Sequence, residues 1–128
     1  MHTGGGLYLR PQSMARIGYL VLRNGRWGRQ TIVSPQWLGQ SLTRSTRTAT
    51  YFAGRPVDYG LHWWLLPLPP QMVRRGMSPD VYVAAGRFDQ WIFVAPRFDL
   101  VVVVTGGTDQ TFAEPVDFLY DAILPAMR

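Results

Sequence analysis

Three β-rich runs, Val81–Ala85, Gln90–Ala95 and Leu100–Thr105, follow one another with only four residues between each and the next. A parallel crossover needs a dozen or more residues, so these runs are restricted to antiparallel pairing. The second connection, "PRFD", carries proline and aspartate and reads as a turn. The first connection carries Gly86, Arg87, Phe88 and Asp89, where a plain hairpin in a core would need neither the arginine nor the aspartate.

The rest of the chain must cover that sheet. "RPQSMARIGYLVLRNG" reads as a helix, with Pro11 in its first turn and Asn24-Gly25 as its stop. Met14, Ile17 and Val21 fall on one face of it. "GRWGRQTIV" is a turn and a short extended piece. "SPQWLGQSLT" is a second helix with Ser34 as N-cap and Pro35 at its first position. "RSTRTATYFAGRP" is polar without a period and reads as a loop. Asp58–Leu66 is aromatic-rich and reads as one strand. The last helix is expected over Glu114–Ala126, with Pro115 in its first turn and Pro125 ending it. Together these predict an α+β fold, an antiparallel sheet with helices on one face. Ile92, Val94, Val101, Val103, Leu119 and Ile123 are expected to be buried between the sheet and the last helix.

The chain has 128 residues, which suits a single domain spanning 1–128. It has no cysteine, so disulfides and thiolate metal sites are excluded within it. His2 and His62 are too far apart for a local metal motif. No metal and no cofactor is expected. No run approaches the roughly 20 apolar residues that span a bilayer, so no membrane span is expected. The first ten residues lack the pattern of a signal peptide, and periplasm, secretion and cytoplasm all stay open. Residues 1–60 hold eight arginines against Asp58 alone. These arginines are scattered singly among apolar residues, which reads as a solvated surface and not as a nucleic-acid interface. All 13 basic residues are arginine. With no lysine, any mechanism that needs a lysine base is excluded within the chain, because arginine stays protonated.

Four segments together resemble a known family. "GGGLYLRPQSMARIGYLVLRNGRWGRQTIVSPQWL", "YGLHWWLL", "AAGRFDQWIFVAPRFDLVVVVTGG" and "FLYDAILPAM" stand in that order. They are similar to the C-terminal portion of beta-lactamase-related serine hydrolases. These include class C beta-lactamases, penicillin-binding proteins, esterases and 6-aminohexanoate-dimer hydrolases. The resemblance implies part of a beta-lactamase/transpeptidase-like fold. It implies a parent enzyme that performs acyl transfer on a small-molecule substrate: an ester, an amide or peptide, or a β-lactam. The family uses a serine nucleophile and lysine base in S-x-x-K, a tyrosine in Y-x-N and a late K-T-G-like strand. The first two motifs are absent here. The chain alone is therefore expected to be inactive, with no catalytic residue of its own. The alternative is a non-catalytic binding or oligomerisation module built on the same half-domain.

The resemblance places the candidate substrate-binding residues at Gly86, Arg87, Phe88, Asp89 and Gln90. Relatives often have "GHGGQ" or "GYGGQ" there, so Phe88 and Asp89 stand where glycines are common. Arg87 is open to a substrate carboxylate, or to Asp89 or Asp99 as a structural partner. Trp63 and Trp64 alternate across a strand, so at most one lines an acyl pocket; Trp63 is the candidate. Several imitations read as structural. "SMAR" (Ser13–Arg16) has the spacing of S-x-x-K, but an arginine cannot take the serine proton. "HTG" (His2–Gly4) lies before the first helix, not on the late strand. "VVVVTGGTDQTF" lacks the lysine of a phosphate loop. Asp117 and Asp121 share a helical face and read as solvated beside Arg128. The resemblance also implies a sheet completed by N-terminal strands. In their absence an unpaired edge is expected, with "LVVVVT" as the candidate because it has no charge and no proline. The missing N-terminal portion, or a second copy, is the expected partner at that edge.

Overall fold

The computed structural model describes residues 6–43, 45–73, 80–107 and 114–127. The sequence "HTG", the residues after Gly107 in the phosphate-loop imitation, and Arg128 lie outside the described residues. Helix α1 (Pro11–Leu22) starts at Pro11, as expected, and puts Ser13 in its first turn. It stops at Asn24 and Gly25, both at positive φ. A small ribbon, β1 (Arg26–Trp27) with β2 (Gln30–Thr31), leads into α2 (Pro35–Ser41). The Ser34 hydroxyl caps α2 by accepting from the Trp37 N–H at 3.2 Å.

Then comes an unbroken meander: β3 (Thr46–Phe52), β4 (Arg55–Tyr59), β5 (Trp64–Pro67), β6 (Asp80–Gly86), β7 (Gln90–Ala95) and β8 (Leu100–Thr105). They form one six-stranded antiparallel sheet in chain order. Two sequence expectations fail here. The segment read as a loop is the β3–β4 hairpin, turned at Ala53 and Gly54, both at positive φ. The segment read as a single strand, Asp58–Leu66, is the end of β4, a turn and the start of β5. Gly60 donates its N–H to the Trp63 carbonyl at 2.8 Å and closes that turn. A side chain at Gly60 would collide with the Ser41 carbonyl, so glycine lets the turn pass beneath α2.

The helices do not share a face, which corrects the one-sided arrangement. Along β7, Trp91, Phe93 and Ala95 join a core with Leu66, Val81, Val83 and the C-terminal helix. Ile92 and Val94 point the other way, into a cluster with Met14 of α1. Leu119 is buried, as expected, while Ile123 packs against the same core but is only partly buried. Val101 and Val103 are only partly buried and, with Ile92 and Val94, lie under α1 instead. Alternation separates the two faces as expected, but α1 and not the last helix covers this one. Gly18 explains how α1 gets so close. A Cβ there would stand 2.6 Å from Val101 Cγ1 and 2.9 Å from Ile92 Cγ2.

The C-terminal helix runs as α3 (Glu114–Asp117), a π-helical stretch (Phe118–Ile123) and α4 (Leu124–Ala126). Pro125 was expected to end it, but helical backbone continues to Ala126. Proline has no N–H for the carbonyl four residues back and its ring crowds that carbonyl, which favours a widened turn just before it. The helix is fastened from the β3–β4 hairpin. Arg55 reaches Asp117 at 2.8 Å and Asp121 at 3.7 Å, and its guanidinium lies 4.6 Å from the Tyr120 ring centroid. The two aspartates are thus held by Arg55. The Tyr120 hydroxyl donates to the Pro67 carbonyl at 2.8 Å. Burial, the largest influence, pushes its pKa above the ordinary 10.0.

Two outcomes follow from this packing. Leu119→Ala should lower the unfolding free energy by about 2–5 kcal/mol in urea titration, because it opens a cavity in the main core. The native state holds the Tyr120 proton to higher pH than the unfolded chain does. Stability is therefore fully present below pH 10.0 and falls as pH rises further. In Tyr120→Phe the tyrosine part of that alkaline slope should vanish, measured as urea midpoint against pH.

Candidate functional site

The β6–β7 turn is built from its ends inward. Gly86 pairs with Gln90, leaving Arg87, Phe88 and Asp89 to reverse the chain. Phe88 (φ 59°) and Asp89 (φ 58°) both sit in the left-handed region. Aspartate tolerates that conformation; phenylalanine is strained there. The Gln90 side-chain amide holds the turn by donating to the Phe88 carbonyl at 2.8 Å and to the Gly106 carbonyl at 2.7 Å. It thereby ties the turn to the end of β8. Gly106 is needed for the close approach, since a Cβ there would lie 2.7 Å from Asp89 Cβ.

Beside this turn, on the α1 face, lies a cleft of about 330 Å³. Gly86 and Gln90 form its polar end; Ala84 and Ile92 form its floor; Leu7, Leu9, Met14 and Ile17 contribute the opposite wall. Of the six residues singled out from the sequence, Gly86 and Gln90 line the cleft. Arg87, Phe88 and Asp89 form the adjoining turn and do not line it. Arg87 and Phe88 are exposed. Asp99, one structural partner considered for Arg87, is at the far end of β7, where Arg23 grips it at 2.7 and 3.0 Å. Trp63 and Trp64 do point to opposite faces. Trp64 packs edge-on against Phe52 in the main core, with centroids 5.1 Å apart. Trp63 packs on the α1 face with the cluster that includes Ala84, but is not part of the cleft wall.

A larger groove of about 640 Å³ runs along the other flank of α1. Ala15, Arg16, Tyr19, Arg23 and Trp27 line it together with Asp99 and Val101. Tyr19 and Trp27 meet edge to face with centroids 5.3 Å apart. The hydrogen bonds that Arg23 donates to Asp99, then that with Tyr19, hold its guanidinium above its usual pKa. Sequence reasoning missed this groove, since nothing local links Arg23 to a residue 76 positions away. It also missed Leu7 and Leu9. The available signal was the apolar pair Leu7 and Leu9, spaced two apart just before an amphipathic helix.

Chemically, the cleft offers an apolar slot closed by one carboxamide and the backbone of a tight turn. Among the described residues no group of three or more metal-ligating side chains is present. No helix among them is long and apolar enough to cross a membrane. Comparison with models of known protein families finds no match, and no curated protein matches the chain.

The strain at Phe88 makes a measurable difference. Phe88→Gly should raise stability by about 1 kcal/mol, because a left-handed residue other than glycine costs about 1–2 kcal/mol and the exposed ring returns little burial. An unchanged or lower urea midpoint would show that the phenylalanine ring is held by contacts worth as much as the strain.

Proposed function

We propose that this chain forms the C-terminal part of a beta-lactamase-related serine hydrolase. It supplies the sheet and one wall of an acyl-binding site, and not the nucleophile. The observation that carries this reading is the β6–β7 turn. The two positions where the resembled family commonly has glycine are the two that adopt positive φ, at Phe88 and Asp89. Glycine is favoured there for a backbone reason, so the turn keeps the geometry that suits the family's glycines although Phe88 and Asp89 replace them. The neighbouring apolar cleft, with Gly86 and Gln90 at its end, suits the acyl part of a small ester or amide. In this reading a partner segment brings S-x-x-K and Y-x-N. Its serine attacks the substrate carbonyl, the leaving group departs with a proton, and water then releases the acyl group.

The chain has no lysine, so it has no base of this type itself. Purified alone, it should not hydrolyse a chromogenic ester or a chromogenic β-lactam. Joined or mixed with the segment encoded upstream of Met1, it should do so, and replacing the serine of that segment's S-x-x-K by alanine should abolish turnover. Turnover by the isolated chain, or an upstream frame without S-x-x-K, would sink the proposal. In the assembled enzyme, Arg87→Ala should weaken kcat/KM for anionic substrates more than for neutral ones, because only the former offer a carboxylate to pair. Equal losses would make Arg87 a structural residue. The second reading, a binding or oligomerisation module, is favoured by a different feature, the sheet edge at β8, which among the described residues pairs only with β7.

A further inference from the structure

We infer that the 128-residue chain pairs with a second copy of itself through β8, antiparallel about a two-fold axis, so that two sheets become one and two α1 helices pack side by side. The inference stands on the sheet edge of this chain by itself and does not require the acyl-transfer reading, in which the N-terminal portion would take that edge in place of the second copy. β8 is the last strand of the sheet and, among the described residues, pairs only with β7. Its sequence "LVVVVT" has none of the charges or prolines that usually guard an edge. All of Leu100–Val104 is only partly buried.

The strand is complementary to itself. A two-fold axis perpendicular to the sheet returns each face to itself, so residues facing α1 must meet residues facing α1. Centred on Val102, this sets Val102 opposite Val102, Val101 opposite Val103 and Leu100 opposite Val104. Every such pair is apolar, and all but the leucine are β-branched. Moving the centre back to Val101 would set the carboxylate of Asp99 against Val103. Centring on Val102 sets it against Thr105 instead.

The position of α1 fits the same axis. Gly18 approaches both Val101 and Ile92, and Ile92 is the ladder partner of Val103. The helix therefore crosses at the level of Val102, midway between β7 and β8. Strands lie about 4.8 Å apart. Two half-spacings and the new β8–β8 spacing then put the helix axes about 10 Å apart, the distance of packed helices. The groove along α1 lies on this outer side, since its strand residue is Val101 of β8 and no β7 residue lines it. Tyr19 follows Gly18 and Ala15 lies about one turn before it, so these two groove residues sit near the level of the axis. Arg23 lies further out and is already neutralised by Asp99 of its own copy.

Sedimentation equilibrium of the chain from micromolar to millimolar concentration tests this. The mass should double and then stop, and hydrogen exchange at the β8 amides should slow as concentration rises. Val102→Lys and Ala15→Arg should each return the mass to monomer and abolish the concentration dependence of exchange. If circular dichroism finds Val102→Lys unfolded, Ala15→Arg decides, because its side chain lies in the groove and outside both cores. A monomer at every concentration, growth past the dimer, or a dimer unmoved by the folded variants would overturn the inference.

Discussion

β7 is buried on both sides, and the rest of the fold answers to that. Trp91, Phe93 and Ala95 are at most 1% exposed on one face, and Ile92 and Val94 at most 7% on the other. A strand with no polar face cannot border water, so each side needs its own cover. The C-terminal helix supplies one through Val116, Leu119, Tyr120 and Leu124. α1 supplies the other through Met14, and Gly18 lets its backbone settle onto Ile92 and Val101. A glycine inside a helix costs about 0.5–1 kcal/mol relative to alanine. Here the close contact it permits offsets that loss.

The C-terminal helix is held mainly by the same apolar burial. Its ion pairs to Arg55 are partly exposed, with Asp117 and Asp121 side chains 49% and 71% accessible. Such pairs contribute little by themselves. Their effect is on direction: a fork from the β3–β4 turn that grips two aspartates one turn apart fixes the rotation of the helix about its axis. That rotation puts Tyr120 where its hydroxyl meets the Pro67 carbonyl. The widened turn at Phe118–Ile123 accommodates Pro125 without interrupting this face.

The sequence made the β6–β7–β8 ladder legible because the four-residue connections leave no other topology. α1 and α2 were legible from Pro11, Ser34 and Pro35, each acting within one turn of itself. The β3–β4 hairpin was not. "TRTATYF" is polar and carries a register irregularity between Arg47 and Tyr51, so its alternation is broken. Its Ala53-Gly54 turn uses alanine at φ 49°, a weaker letter than the asparagine or aspartate such turns favour. The side taken by each helix was beyond local reading as well. Period two separates the residues of a strand into two sets but does not say which helix receives which set. At the candidate site, sequence reasoning found the turn and the polar end of the cleft at Gly86 and Gln90. The wall from Leu7 to Ile17 comes from a segment more than 60 residues earlier, and only the folded path of α1 brings it there.

The turn itself bears on what the cleft admits. Two glycines at positions 88 and 89 would satisfy the backbone and leave the space over the turn empty. Phe88 and Asp89 satisfy the same backbone at a cost in strain, and the structure over-determines them through Gln90 and the close pass of Gly106. Strain held in this way lies beside the apolar cleft of the proposed acyl site. It also sets a direction for the proposed acyl site. Phe88 is 51% exposed at the turn, Gly106 passes close to Asp89, and neither Phe88 nor Asp89 lines the cleft. A ligand would reach Gly86 and Gln90 from the side of Leu7 and Ile17, along the cleft, and not across the turn. The walls that would choose the acyl group are then aliphatic, while Arg87 at the exposed rim would read charge on the part left outside.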